Sequence, residues 1–152
     1  MEDSVWSVTT NLFFWAGLGS WCAAQFTKML CGFYRTHRLD FTYLVSTGGM
    51  PSAHSASVSG LATCAGVLHG FGSAIFAISL CLALIVMFDA STVRRAAGLQ
   101  AMLLNEMVDE LFKDHHFSQR KLKELLGHTR LEVFMGMLMG ILVGMLVSSY
   151  GI

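Results

Sequence analysis

Charge is what this chain has least of. Only 13% of its 152 residues are Asp, Glu, Lys or Arg, against about 25% in a soluble domain. Its mean hydropathy is +0.58, and together these values indicate a membrane protein. The few charges cancel to a formal net of zero, which removes the basic footprint of a nucleic-acid partner. No two cysteines are spaced C-x-x-C. Cys22, Cys31, Cys64 and Cys81 are scattered through apolar stretches and read as small core residues, not as a disulfide framework or a zinc site. The N-terminus, MEDSVWSV, carries two acids and no Lys or Arg, so it lacks the basic flank of a signal peptide. Neither an internal repeat nor a second domain is legible, and residues 1–152 read as a single integral membrane domain.

What the chain has instead is long apolar stretches. A transmembrane helix needs about 20 mostly apolar residues, and four stretches qualify: 10–33, 51–69, 72–91 and 131–149. The predicted fold is therefore all-α, a polytopic bundle of about four transmembrane helices. The second stretch is the weakest, being rich in Ser, Ala and Gly. Only His-Gly-Phe-Gly separates it from the third, which predicts an antiparallel hairpin. All ten Lys and Arg residues fall in three places, at 28–38, 94–95 and 113–130. Four crossings put all three on one side, the cytosolic one or its organellar equivalent by the positive-inside rule. Between the third and fourth stretches, Leu99, Met102, Leu103, Met107 and Leu111 recur at a helical period. They predict a cytosolic or interfacial amphipathic helix continuing the third span. KDHHFS breaks it, and Ser118 is placed to cap a short basic helix ending at Gly127.

Polar residues interrupt this pattern at a few points. In STGGMPSAHSASVSG, residues 46–60, Gly48-Gly49 supplies a turn and Pro51 suits the first turn of a helix. Ser52, Ala53 and His54 then fall where free N–H groups and the positive dipole end attract an anion. A plain Gly-Pro helix start explains the same residues. Lys28 and Arg35 are two helical turns apart and share a face, as a phosphate-binding pair or a juxtamembrane anchor would. His128 and Glu132, at i and i+4 where the last span begins, are placed for a carboxylate to fix an imidazole tautomer; an ordinary surface pair has the same spacing. Asp89 ends a very apolar helix, where a charge requires a partner. Arg94 or Arg95 is the plain choice, and orienting His54 or neutralising Lys28 the functional one. Gly136, Gly140 and Gly144 form a doubled G-x-x-x-G for close helix packing, either within the bundle or between two copies. The ten methionines, mostly in apolar segments, are core filler. Asp89, Glu106, Asp109, Glu110, His115 and His116 match no metal-site spacing.

Three segments, KMLCGFYRT, MPSAHSA and HTRLEVFMG, together resemble the type 2 phosphatidic acid phosphatase superfamily, which also includes vanadium haloperoxidases. The similarity is to its small, divergent membrane branch. That superfamily's pattern runs Lys, six residues, Arg-Pro; then Pro-Ser-Gly-His; then Arg, five residues, His, three residues, Asp. Order and spacing agree from Lys28 to Gly136. Thr36, Ala53 and Glu132 replace the pattern's proline, glycine and aspartate, and Leu122 stands where it has the third-motif arginine. Arg120, Lys121, Lys123, Arg130 or the Arg94-Arg95 pair remain as substitute cations.

The resemblance implies a hydrolase acting on a phosphomonoester or diphosphate of a membrane lipid, with no metal and no cofactor. Its implied catalytic residues are His128 as nucleophile, Glu132 orienting it and His54 as proton donor and acceptor. Its implied phosphate-binding residues are Lys28, Arg35, Ser52, Ala53, Arg94 and Arg95. The alternative is a non-catalytic membrane protein that binds anionic headgroups or serves as a structural or transport subunit.

Overall fold

A computed structural model describes residues 5–37, 49–111 and 127–151, without the side chains of residues 5, 6, 35, 36 and 111. Gly48, Leu122, the cap expected at Ser118 and the cations 113–123 lie outside the described residues, as do His115 and His116. A 3-10 helix, Val5–Thr10, leads into α1 (Leu12–Thr36); α2 (Ala53–His69), α3 (Ala74–Ser91), α4 (Val93–Leu111) and α5 (Arg130–Ser148) follow. No strand occurs among the described residues.

The helix ends follow from local chemistry. Asn11 caps α1, its Oδ1 accepting the N–H groups of Phe13 and Phe14 at 2.9 and 3.2 Å. α1 runs past Phe33 to Thr36, because neither Lys28 nor Arg35 is a helix breaker. His37 closes it in the left-handed region at φ 52°, donating its N–H to the Phe33 carbonyl at 2.7 Å. Ser73 caps α3 by accepting the Phe76 N–H. Thr92 alone separates α3 from α4, so the amphipathic segment does continue the third span.

α2 is central and packs against α1, α3 and α5, while α1 also packs on α5. That position explains its weak hydropathy. A helix with neighbours on three sides must be slim, and Ala53, Ser55, Ala56, Ser59, Gly60, Ala62, Cys64, Ala65 and Gly66 are all buried. The doubled glycine motif of α5 supplies the matching surface. A Cβ on Gly136, Gly140 or Gly144 would run into the backbone of Ser52, Ala56 or Gly60 respectively. Of the two arrangements open to that motif, packing within the bundle is the one seen, and α2 covers its glycine face. Hydroxyls in the seam bond back to their own helices: Ser20 to the Ala16 carbonyl and Ser148 to the Gly144 carbonyl, both at 2.6 Å. They reach the interior without an unmet polar group.

The core is built of small side chains and the bulky ones face outward. The largest fully buried residues are Cys64, Ser20, Ser52, Ser55 and Ser148, whereas Ile78, Ile85, Phe88 and Leu142 are each more than 60% exposed. A water-soluble domain sorts these classes the other way. Between helices in lipid, small residues allow close packing and the bilayer covers the rest. Among the described residues, two helical stretches, Ala74–Glu110 and Arg130–Ser148, are long and apolar enough to cross a membrane. On α4, Leu99, Met102, Leu103 and Met107 are exposed while Gly98, Ala101 and Asn105 are buried, so the expected apolar face points away from the protein. The fold is an all-α membrane bundle.

Candidate functional site

The bundle's helices alternate in direction, which brings the C-terminal ends of α1 and α3 to the same end as the N-terminal ends of α2 and α5. Two backbone bonds fix this end. The Ser52 N–H donates to the Glu132 carbonyl at 3.0 Å, and the His128 N–H donates to the Ala90 carbonyl at 3.0 Å. At the opposite end Phe13 of α1 stacks on His69 of α2, their ring centroids 5.2 Å apart.

Ser52 is the N-cap of α2, with Ala53 and His54 as its first two residues. Pro51 therefore sits one place before the cap, not inside the first turn where its sequence position suggested. Ser52 Oγ accepts both the N–H and the hydroxyl of Ser55, at 3.4 and 3.0 Å, and the Ala56 N–H bonds to the Ser52 carbonyl. Among the described residues, the N–H groups of Ala53 and His54 have no partner, and they lie at the dipole's positive end, which favours an anion. Ala53 contributes its N–H, while its methyl packs into a cluster with Ala24 and Ala56. The methyl that replaces the superfamily's glycine is thus absorbed by the core.

The third segment is built differently from a helix-surface pair. His128 precedes the N-cap of α5, which is Thr129, so the imidazole lies outside the helix. Its Nδ1 is 2.9 Å from Glu132 Oε2. That same oxygen accepts the Thr129 N–H at 3.1 Å, and Thr129 Oγ1 accepts the Glu132 N–H at 3.3 Å. This is a capping box. One carboxylate closes the helix start and fixes the histidine. Because an ionised carboxylate only accepts, Nδ1 is the donor in this contact. Gly127 makes the approach: its φ is +99°, and a Cβ there would collide with the backbone of Arg94 and Arg95. The turn is thereby held under the α3–α4 junction, leaving His128 only 3% exposed.

The cations arrive from two sides. Lys28, on α1, is 4% exposed and interacts with the Glu132 carboxylate. Arg94 Nε lies 2.6 Å from Asp89 Oδ2 in a half-exposed ion pair; an exposed pair of this kind contributes about 1 kcal/mol or less. Asp89 thus has the plain partner foreseen for it. His54, exposed at the rim, lies within the electrostatic reach of Arg94, His128, Lys28 and Asp89. One imidazole therefore senses groups from α1, α3, α4 and the turn before α5. Arg95 is exposed on α4 beside Arg94. Arg35 falls on α1 two turns beyond Lys28, and its side chain lies outside the described residues.

Sequence reasoning singled out His54, His128, Glu132 and Lys28 but missed the backbone bonds that draw them together. It also missed the role of Thr129, although Thr-x-x-Glu before an apolar run is a legible capping signal.

No solved structure matches this chain. A curated relative, the "Uncharacterized membrane protein YuiD" of Bacillus subtilis (strain 168), is 42% identical over 138 residues, covering 84% of this chain and 87% of the relative. Residues 9–143 match a family described as the Divergent PAP2 family. That match takes in all three segments around the α2 N-terminus, and the chain belongs to the Divergent PAP2 family.

Proposed function

We propose that the protein is a lipid-phosphate phosphatase that works through a phosphohistidine at the basic end of its bundle. The observation that carries this reading is the shared electrostatic neighbourhood of His54, Lys28, His128 and Arg94 at the N-terminal end of α2. Four crossings, with this end toward the cytosol, complete the proposal and agree with the clustering of Lys and Arg.

In the first step His128 Nε2 attacks phosphorus and the bond from phosphorus to the lipid oxygen breaks. His54 donates a proton to that oxygen as it leaves. Glu132 holds the imidazole and balances the positive charge it acquires. Lys28, Arg94 and the N–H groups of Ala53 and His54 take the phosphoryl oxygens, whose charge grows toward the transition state. In the second step His54 removes a proton from water, the water oxygen attacks phosphorus, the P–N bond breaks and phosphate departs. Among the described residues, Arg94 is the cation available to replace the superfamily's third-motif arginine, because its exposed pairing with Asp89 holds it only weakly.

A second reading, headgroup binding without turnover, draws on the deep burial of His128 and on Leu122 in the arginine's place. Purified protein in nanodiscs, offered phosphatidate, phosphatidylglycerol phosphate and polyprenyl phosphates, separates the two. Phosphate release from at least one of them is expected. Saturable binding of these lipids with no release would establish the second reading instead.

A further inference from the structure

Beneath the polar end, α3 and α5 stand apart and expose a slot floored by α2. Its volume is about 310 Å³. Ser59 and Ala62 of α2 form the floor, Ala83 and Leu84 of α3 one wall, and Met137 and Ile141 of α5 the other. The upper end is Met87, one turn below Ala90, whose carbonyl holds the His128 N–H. The lower end is lined by Phe71 and Phe76, packed edge to face with ring centroids 5.1 Å apart. Gly66 lets these rings approach, since a Cβ there would meet Phe71 at 2.6 Å.

We propose that this slot seats a single hydrocarbon chain of the lipid whose phosphate is handled above it, and that the Phe71–Phe76 end limits how much of the chain is taken. The proposal rests on the lipid-phosphate reading. Three observations select this occupant. The first is width. From Ser59 to Val67 the floor is about 12 Å long, so a volume of about 310 Å³ makes a narrow groove. One extended hydrocarbon chain suits a groove of this size. The second is polarity. The floor's two hydroxyls are already engaged, Thr63 with the Ser59 carbonyl at 2.8 Å and Ser59 with Met87 Sδ at 3.9 Å, so an apolar guest leaves no polar group unmet. The third is continuity. The slot's upper end, at Met87, lies one turn from Ala90, whose carbonyl holds the His128 N–H, and Phe71 and Phe76 line its far end. Methionines at 87, 137 and 145 line it, which suits a guest with a bend or a methyl branch, because their side chains adapt.

The test uses the full chain in nanodiscs containing phosphatidate with a photoactivatable diazirine at mid-chain. Peptides spanning 80–87 and 137–145 are expected to carry most of the cross-links, above those from the lipid-facing surface of α1. Ala83→Trp, which fills the slot, is expected to cut that labelling by roughly tenfold through displaced methylenes, with labelling of α1 maintained. Ile141→Trp fills it from the other wall and serves should the first variant fail to fold. In wild-type protein the preference for longer chains should level off once the chain exceeds the slot. Labelling spread evenly over all lipid-facing helices, or unaltered by both fillers, would overturn the proposal. Phosphate release accompanied by even labelling sinks the slot alone; selective labelling without any release sinks the enzymatic reading alone.

Discussion

Replacing His128 by alanine is expected to reduce phosphate release from a lipid phosphate by roughly 10⁴- to 10⁶-fold, the scale seen when a covalent nucleophile is removed. His54→Ala should cost less, roughly 10²- to 10⁴-fold, because a proton donor lowers the barrier without forming the intermediate. This ordering follows from their surroundings. His128 has its Nδ1 committed to Glu132 at 2.9 Å and its backbone tied to Ala90, so its imidazole is held in place. His54 sits at the rim among opposite charges and has no such clamp. Glu132→Gln sharpens the distinction. Glutamine still completes a capping box, but the buried Lys28 loses its counter-charge, so stability should fall by up to about 3–5 kcal/mol, and turnover falls because the imidazolium loses its counter-charge. Assays of the three variants on one substrate, with melting curves alongside, check the set. Equal activity in His128→Ala and wild type would remove the nucleophile from the account.

The second large effect is structural. Gly140→Ala is expected to destabilise the protein by about 1–3 kcal/mol, the cost of overpacking a tight contact, although alanine is the better helix former by about 1 kcal/mol. Packing wins because the obstacle is backbone: the new methyl would overlap the Ala56 carbonyl oxygen and lie 2.9 Å from the Gly60 nitrogen. Neither can turn aside as a side chain would. Gly19→Ala, also mid-helix, meets only Val143 Cγ1 at an ordinary 3.7 Å and should stabilise by up to about 1 kcal/mol. The same substitution at two glycines thus carries opposite signs. Thermal melts in one detergent decide it, and a stabilised Gly140→Ala would mean that α5 does not rest on α2 as described. Loss of this contact should also weaken the site, because the Gly136–Ser52 approach belongs to the same seam.

The helices were legible in the sequence because their signal is local. The apolar stretches 10–33, 51–69, 72–91 and 131–149 placed four helices to within a few residues, and the period of Leu99, Met102, Leu103 and Met107 located α4. The arrangement was less legible. α2 is the poorest in hydropathy, and nothing in a run of Ala, Ser and Gly says which neighbour each face receives, so its central place emerges only from packing. The doubled glycine motif announced a close contact without naming the partner. At the site, His54, His128, Glu132 and Lys28 stood out by chemical type and spacing. What brings them together is a pair of backbone bonds, Ser52 to Glu132 and His128 to Ala90, and backbone groups are identical in every residue. For the same reason His128 looked like the start of a helix, although it lies just before the cap.

The central claim is that His128 takes phosphorus from a lipid within a cluster of cations. Its most direct test is to mix the protein with a lipid phosphate carrying ³²P, quench at high pH within the turnover time, and map the label. The account predicts an alkali-stable, acid-labile phosphoryl group on His128 that is absent from His128→Ala. Phosphate released without protein-bound label, label on another residue, or no transfer from any lipid phosphate would contradict it.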